Sequence, residues 1–197
     1  MKAFSTALRL FVLLTLLTGG LYPLLVTAIG HTVFPSQSQG SLVTRPDGSI
    51  IGSSLLAQRS STREYFWSRP SAGDYATLPS AASHLAATSA RLRESVRDRA
   101  STLRVAHGLD DHAPVPSDLL YASGSGLDPH LSPEAAFFQV ARIAQARQCP
   151  PDSIVKLVRE HLQPGGVLGE ARVNVLELNL ALDHLASLPK PATQALN

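Results

Sequence analysis

The sequence is poor in charge and in cysteine. Only 16% of its 197 residues are charged, against about 25% in an average soluble domain. The single cysteine, Cys149, excludes a disulfide within the chain and a metal site built from several cysteine thiolates. The fold must therefore be held together by a buried apolar core.

A surplus of positive charge is also missing beyond the N-terminus. The chain has 17 basic and 15 acidic residues, and Lys2 and Arg9 precede the first apolar run. Without these two, 15 basic residues face 15 acidic ones. The alternating charges of residues 91–99, RLRESVRDR, are typical of a solvated helix face. Because phosphate backbones bind clustered surplus cations, the composition argues against nucleic-acid binding.

Motifs that hold a catalytic metal or a nucleotide are absent as well. The histidines form no HxxxH or HExxH pair, and no GxxxxGK[ST] phosphate loop occurs. Gly165, Gly166 and Gly169 make a glycine-rich stretch that lacks the following lysine. We therefore expect no metal ion, and the residues give only weak support for direct binding of ATP.

What the sequence does contain is a long apolar run. Residues 10–30 are 21 residues without a charge, and at about 1.5 Å per residue they span roughly 31 Å, close to the hydrocarbon thickness of a bilayer. We predict a transmembrane helix over 10–33. Small and hydroxyl-bearing side chains let helices approach closely, and a neighbouring helix compensates for the backbone bond lost at Pro23, so the anchor should pack against other membrane helices. The positions singled out in the span are Leu10, Leu14, Gly19, Gly20, Tyr22, Pro23 and Gly30.

The charges that flank the run predict its orientation. Lys2 and Arg9 lie before it, and the next lysine or arginine after it is Arg45. Because positive charge stays on the cytoplasmic side, we expect residues 1–9 in the cytoplasm and residues 34–197 on the extracytoplasmic side of the cell (inner) membrane. A cleaved signal peptide is the alternative, although the apolar core of a signal spans only about 7–15 residues.

The remaining pattern predicts one small α+β domain with a short β-hairpin or sheet and about four helices. Residues 41–56 contain the turn sequence RPDG and are typical of a hairpin. Ser80 or Ser83 is the expected cap of the first helix, and Gly108 its stop. Helices are expected over 80–107, over 132–148, over 152–162 and, after a short strand at 171–173, up to Leu188.

Capping signals are strongest at two of these helices. Ser132 is a helix N-cap residue, Pro133 suits the first helical position, and Glu134 complements the positive end of the helix dipole. Asn174, followed three residues later by Glu177, is a capping-box arrangement.

The loop at 122–136 holds the residue types of a nucleophilic triad. Ser123, Ser125, Asp128 and His130 all lie within eight residues, whereas the members of a triad come from distant chain segments. Serine, aspartate and proline also satisfy the backbone of a rigid loop. We interpret the loop as holding a shape that docks a partner. A membrane-anchored serine hydrolase using Ser125 and His130 is the alternative.

An aromatic segment is the second feature. Residues 64–75, EYFWSRPSAGDY, contain four of the eleven aromatic residues. Aromatic side chains bury large areas, so the segment is interpreted as an edge of the core, with a partner-facing patch as the alternative.

Four motifs in order carry a family resemblance. They are YFWSRPSA (65–72), SGSGLDPHLSPEAA (123–136), QVARIAQAR (139–147) and RVNVLELNLALD (172–183). Together with the single span and the length, they resemble the KdpC family, the C subunit of the Kdp potassium-transporting P-type ATPase, over nearly the whole chain.

The resemblance implies an accessory subunit that is not catalytic alone. Its partners would be a channel-like A subunit that carries K⁺, a B subunit that hydrolyses ATP, and a small F subunit, in a complex that imports potassium with high affinity. The family is also described as a catalytic chaperone that raises the ATP affinity of the B subunit. ATP enters only through that attribution, and no cofactor is expected on this chain itself.

The chaperone role conflicts with the charge-based orientation, because an extracytoplasmic domain cannot touch a cytoplasmic nucleotide pocket. Either the effect is allosteric through the membrane helix, or the domain caps the outer mouth of the channel-like subunit, which we prefer. The expected docking or structural residues are Tyr65, Phe66, Trp67, Arg69, Pro70, Ser123, Ser125, Asp128, His130, Ser132, Glu134, Arg172, Asn174, Glu177 and Asn179.

Overall fold

The structure is a computed structural model that describes residues 2–45, 48–167 and 169–187. It combines α-helices with two small two-stranded sheets, as the predicted α+β class requires. Contacts divide the chain into two compact units, one that runs to Ser53 and one that begins at Ser54. The β-hairpin thus belongs to the same unit as the N-terminal helix.

The N-terminal unit begins with a continuous helical run. Helix α1 (Lys2–Leu16) passes through a π-helical turn (Leu17–Leu21) into helix α2 (Tyr22–Val33). This run of 32 residues is long and apolar enough to cross a membrane, and its most apolar stretch is unburied. The helix therefore has the length and composition of a membrane anchor.

The π turn coincides with the two adjacent glycines and precedes Pro23. Tyr22 N–H donates to the carbonyl of Leu17, five residues back instead of four, and Thr18 Oγ1 donates to the Leu14 carbonyl at 2.7 Å. Proline has no N–H to donate, and a π turn is one way a helix absorbs such a break.

The predicted hairpin is confirmed. After the short helix α3 (Pro35–Ser38), strands β1 (Leu42–Thr44) and β2 (Ile50–Ser53) pair antiparallel, with Leu42 opposite Ser53 and an irregular register after Val43. Gly48 has a φ of +82°, which glycine adopts without strain. Pro46 and Asp47 of the turn lie outside the described residues.

The second unit is mainly helical. Its helices are α4 (Ala90–His107), α5 (Ser117–Leu120), α6 (Pro133–Arg147), α7 (Pro151–Glu160) and α8 (Val175–Ser187). Strands β3 (His130–Leu131) and β4 (Val173–Asn174) pair antiparallel, with Leu131 opposite Val173. Helix α6 packs against α7, α4, α5 and β3.

The caps of α6 and α8 are those the sequence predicts. Ser132 Oγ accepts from Ala135 N–H at 3.2 Å, and Pro133 opens the helix. Asn174 Oδ1 accepts from the N–H groups of Leu176 and Glu177 at 3.1 and 3.2 Å. The expected end of α8 at Leu188 lies outside the described residues.

The expected start of α4 is wrong. The helix begins at Ala90 with Ser89 as its cap, whose Oγ accepts from Leu92 N–H at 3.4 Å, and it stops at Gly108 as predicted. Residues 80–89 form no helix because tertiary packing overrides their helical propensity. His84 has a φ of +51°, and the carbonyl of Ala81 comes within 2.8 Å of the position that a Cβ on Gly126 would occupy.

The core of this unit lies between α6, α7 and α8. Phe66, from an irregular segment, is completely buried in it. The largest fully buried apolar side chains are Phe66, Leu131, Ile143, Ile154, Leu178, Leu182, Val158 and Val173.

Candidate functional site

Residues 62–67, which we call the anchoring segment, run in irregular conformation against α6 and α8. The side-chain amide of Asn179 in α8 binds both backbone polar groups of Phe66. Its Oδ1 accepts from Phe66 N–H at 2.7 Å, and its Nδ2 donates to the Phe66 carbonyl at 3.0 Å. Gln139 of α6 binds the backbone of Trp67 in the same way. Its Oε1 accepts from Trp67 N–H at 2.8 Å, and its Nε2 donates to the Trp67 carbonyl at 3.2 Å. Two carboxamides thus replace the partner strands that an extended segment would have in a sheet.

Arg142 secures the same segment from α6. Its guanidinium donates to the carbonyls of Arg63 and Tyr65 at 2.6 and 3.0 Å and to Gln139 Oε1 at 2.8 Å. It also lies 4.2 Å from the centre of the Trp67 ring, a cation–π distance. Burial lowers the pKa of Arg142 to about 10. Every acceptor in this set is uncharged, so the guanidinium is bound by dipoles.

Arg147 closes the network at the surface. It donates to the Glu64 carbonyl at 2.7 Å and to Asp183 Oδ1 at 2.9 Å. Tyr65 Oη also donates to Asp183 Oδ1, at 2.8 Å. That hydrogen bond to a carboxylate is the main cause of a raised pKa of Tyr65. With Phe66 buried and Tyr65 and Trp67 half-buried, the aromatic segment forms the edge of the core.

The loop at 123–132 uses its polar side chains on its own backbone. Ser125 Oγ accepts from Leu127 N–H at 3.1 Å, and Ser123 Oγ accepts from Asp128 N–H at 3.5 Å. Asp128 Oδ1 accepts from His130 N–H at 3.0 Å and lies 3.3 Å from His130 Nδ1. Its Oδ2 accepts from Arg69 Nη1 at 3.0 Å.

Carboxylates also satisfy the edge of strand β3. Asp128 takes the N–H of His130, and Asp118 Oδ2 takes the N–H of Ser132 at 2.8 Å. An edge strand normally presents such groups to other chains, whereas here both N–H groups already have an acceptor within the chain. The groove beside them, of about 300 Å³, is lined by Arg69, Asp118, Asp128, His130, Glu170 and Arg172, among others.

The structure therefore brings together most of the sequence-predicted residues, in two groups. The anchoring network contains Tyr65, Phe66, Trp67 and Asn179. The groove is surrounded by Arg69, Asp128, His130, Ser132 and Arg172.

The remaining predicted residues make local contacts. Pro70 is linked to the loop, since its carbonyl accepts from Ser123 N–H at 3.3 Å. Asn174 also ties the start of this unit to β4, by donating to the Ser54 carbonyl at 2.7 Å. Glu134 and Glu177 occupy the first turns of α6 and α8.

Sequence reasoning missed Gln139 and Arg142. Both are buried, at 0% and 4% exposure, on the apolar face of α6. The available signal was a polar and a charged residue at positions where helical periodicity requires apolar ones, in a helix whose other buried positions are alanine, valine and isoleucine.

The geometry supplies no relay for nucleophilic catalysis within the described ranges. No hydrogen bond joins His130 to Ser123 or Ser125 among residues 48–167, and both hydroxyls accept backbone amides. No group of three or more His, Cys, Asp or Glu side chains suited to a metal ion occurs in the described part of the chain.

Comparison with known proteins decides the family. The family model described as "KdpC: K+-transporting ATPase, c chain" matches residues 4–184. The chain belongs to the KdpC family. The KdpC family match spans both the membrane-type helix and the second unit, and it includes all four motifs that form the anchoring network and the loop.

Individual KdpC relatives match over nearly their full length. The chain is 50% identical to the potassium-transporting ATPase KdpC subunit of Sorangium cellulosum over 182 residues, which are 90% of this chain and 95% of that protein. It is 48% identical to the KdpC subunit of Pseudomonas putida KT2440 over 181 residues, 91% and 95% of the two chains. The KdpC subunit of Citrifermentans bemidjiense is 44% identical over 189 residues, 93% and 98%.

Proposed function

We propose that the chain is a non-catalytic, membrane-anchored subunit of an ATP-driven potassium-import complex. The observation that carries this proposal is the KdpC family match over residues 4–184, supported by relatives named as potassium-transporting ATPase subunits. The partners are a channel-like subunit, an ATP-hydrolysing subunit and a small third subunit.

The first unit acts as the anchor in this proposal. The large apolar side chains of the helical run Lys2–Val33 are exposed in the structure. Apart from the helix's own neighbouring backbone, no atom of the described residues lies within 4 Å of where a Cβ on Gly19 or Gly20 would stand. Two adjacent glycines let a neighbouring membrane helix come close to the backbone. The anchor therefore packs against membrane helices of the partner subunits, with its charged N-terminus in the cytoplasm.

The second unit acts as a rigid docking body outside the cytoplasm. Its loop at 123–132 uses both serine hydroxyls and the Asp128 carboxylate to hold its own backbone, which supports a shape-holding role over catalysis. We place this surface against the outer mouth of the channel-like subunit. Any influence on the ATP affinity of the catalytic subunit then passes through the membrane helices. Such coupling requires that this chain bind two conformations of its partners with unequal affinity.

Growth on limiting potassium tests the function. Cells whose potassium uptake depends on this system should stop growing at low K⁺ when the chain is deleted, and should recover when it is supplied from a plasmid. Ser125→Ala should support full growth, because only the Leu127 N–H loses a partner in an exposed turn. Asp128→Ala should slow growth and reduce copurification of the channel-like subunit, because three polar groups lose their acceptor. Undiminished growth of the deletion strain at low K⁺ would rule the proposal out.

Cysteine labelling tests the orientation. Cys149 is half-buried, so Lys156→Cys in a Cys149→Ser background offers a better site, since the Lys156 side chain is 78% exposed. Intact cells should label with a membrane-impermeant maleimide. Labelling only after permeabilisation would place the domain in the cytoplasm and favour direct contact with the nucleotide-binding subunit.

A further inference from the structure

Two basic side chains meet at the end of α4. His107 is the last residue of that helix, and its Nε2 accepts a hydrogen bond from Arg142 Nε at 3.2 Å. The imidazole packs on Phe138, with the ring centroids 4.5 Å apart, and meets Trp67 edge-on at 6.3 Å. A half-buried imidazole therefore joins α4 to both α6 and the anchoring segment.

No carboxylate balances this pair. Among the described residues, neither His107 nor Arg142 forms an ion pair. The charged groups that face the imidazole are Arg142 of α6 and Arg63 of the anchoring segment. On α4 itself, Arg104 turns its Nε to the carbonyl of Ala113 at 2.9 Å.

The hydrogen bond requires a neutral ring. Nε2 can accept from Arg142 only while it keeps its lone pair, and the proton then resides on Nδ1. A second proton would remove the acceptor and create a cation beside two guanidinium groups. Burial and the charge of Arg142 lower the pKa of His107 to about 4, and they outweigh a hydrogen bond to the backbone of Phe138 that acts in the opposite direction.

We propose that His107 and Arg142 form an acid-sensitive latch, which holds the last turn of α4 against α6 while His107 is neutral and releases that turn when His107 takes up a proton. Arg63 of the anchoring segment also ties this turn, because its Nη2 donates to the Ala106 carbonyl at 3.2 Å. Arg63 also repels a protonated His107. The latch needs neither the proposed partners nor the proposed orientation.

The rest of α4 stays in place when the latch opens. Leu103 is buried in the core, at 6% exposure. Arg99 Nη1 donates to the Leu120 carbonyl at 2.8 Å. Release is therefore confined to residues 104–107. It exposes the part of the Trp67 ring that His107 contacts edge-on.

The sequence offers a built-in reporter, because Trp67 is the only tryptophan. It contacts both members of the latch, so its fluorescence responds to protonation and to release. The full chain in detergent micelles should show a sigmoidal change in Trp67 emission between about pH 6.5, the ordinary pKa of histidine, and the lowered value of about 4.

Three variants separate the latch from general acid effects. His107→Gln keeps a neutral acceptor for Arg142 and should abolish the sigmoidal change. His107→Lys carries a permanent charge and should show the acid-state emission at every pH. His112→Gln is the matched control, since His112 is an exposed histidine five residues away, and it should behave as the unmodified chain does.

Hydrogen–deuterium exchange tests release itself. With rates corrected for intrinsic pH dependence, amides 104–107 should exchange at least about tenfold faster at pH 4.5 than at pH 7 in the unmodified chain, and should not do so in His107→Gln. An emission change that persists in His107→Gln would overturn the proposal. So would a His107-dependent emission change with no faster exchange at 104–107, since the ring would then be protonated without releasing the helix.

Discussion

Removal of the Gln139 carboxamide is the sharpest test of the anchoring network. Gln139 is completely buried. Its Oε1 accepts from Trp67 N–H and from Arg142 Nη2, each at 2.8 Å, and its Nε2 donates to the Trp67 carbonyl at 3.2 Å. In Gln139→Ala, three polar groups therefore lose a partner: two backbone groups of the half-buried Trp67 and one N–H of the buried, charged Arg142 guanidinium.

The expected cost follows from those three groups. A buried polar group left unpaired costs about 1–3 kcal/mol. Water entering the vacated space offsets part of this, so we expect about 3–5 kcal/mol in total. For a unit of this size, 1 kcal/mol lowers Tm by about 3–4 °C, which gives a decrease of roughly 10–20 °C.

The assay is thermal unfolding of the full chain in detergent, followed by Trp67 emission and far-ultraviolet circular dichroism. Gln145→Ala is the matched control, because Gln145 lies on the same helix and is exposed. Its Tm should change by no more than about 2 °C. If the two alanine variants unfold at the same temperature, the carboxamide does not hold the anchoring segment and the reasoning is refuted.

Further predictions concern the core, the loop and acid stability. Phe66→Ala should lower stability by about 3–5 kcal/mol, because Phe66 is fully buried and leaves a cavity; urea titration checks this against Phe66→Leu, which should lose less. Gly126→Ala should lower Tm, since Gly126 has a φ of +73° and an added Cβ would meet the Ala81 carbonyl at 2.8 Å; an unchanged Tm would contradict it. Stability should fall with pH through His107, whose folded pKa of about 4 lies below its ordinary 6.5. The unfolded chain binds that proton more tightly, so the contribution of neutral His107 to the free energy of unfolding is complete above about pH 6.5 and is lost towards pH 4. The loss should be about 1–2 kcal/mol after allowance for solvent screening of the half-exposed ring. Urea titrations at each pH should show a flatter pH dependence of stability in His107→Gln.

The parts of the fold that the sequence predicts well are those governed by local chemistry. Ser132 and Pro133 start α6, and Asn174 caps α8, through hydrogen bonds that span three residues or fewer. The serines and the aspartate of the loop at 123–132 are residue types that bind their own backbone, and Ser125 and Asp128 make such local hydrogen bonds in the structure.

The parts that it does not predict depend on distant partners. Residues 80–89 have the composition of a helix, yet the carbonyl of Ala81 within them lies against the loop at Gly126. Gln139 contacts Trp67, which lies 72 residues away. A buried glutamine or arginine interrupts an apolar helical face in the sequence, and only the fold identifies the backbone groups that it satisfies. The pairing of Arg69 with Asp128, 59 residues apart, is unpredictable for the same reason.

A common device joins these long-range contacts. Arg104, Arg142 and Arg147 all donate to backbone carbonyls of irregular segments, and Arg99 donates to the carbonyl of Leu120 at the end of α5. A guanidinium presents several donors in a fixed plane, so one side chain can fix a stretch of chain that has no strand beside it. This explains how a unit with two-residue strands keeps a defined surface.

Potassium-stimulated ATP hydrolysis by the purified complex tests the central claim most directly. The complex would be purified through a tag on the channel-like subunit, from cells with and without this chain. The account predicts that without the chain the ATP-hydrolysing subunit is lost from the preparation and K⁺-stimulated hydrolysis disappears, and that supplying the chain restores both. An intact complex with full K⁺-stimulated hydrolysis in the absence of the chain would contradict it.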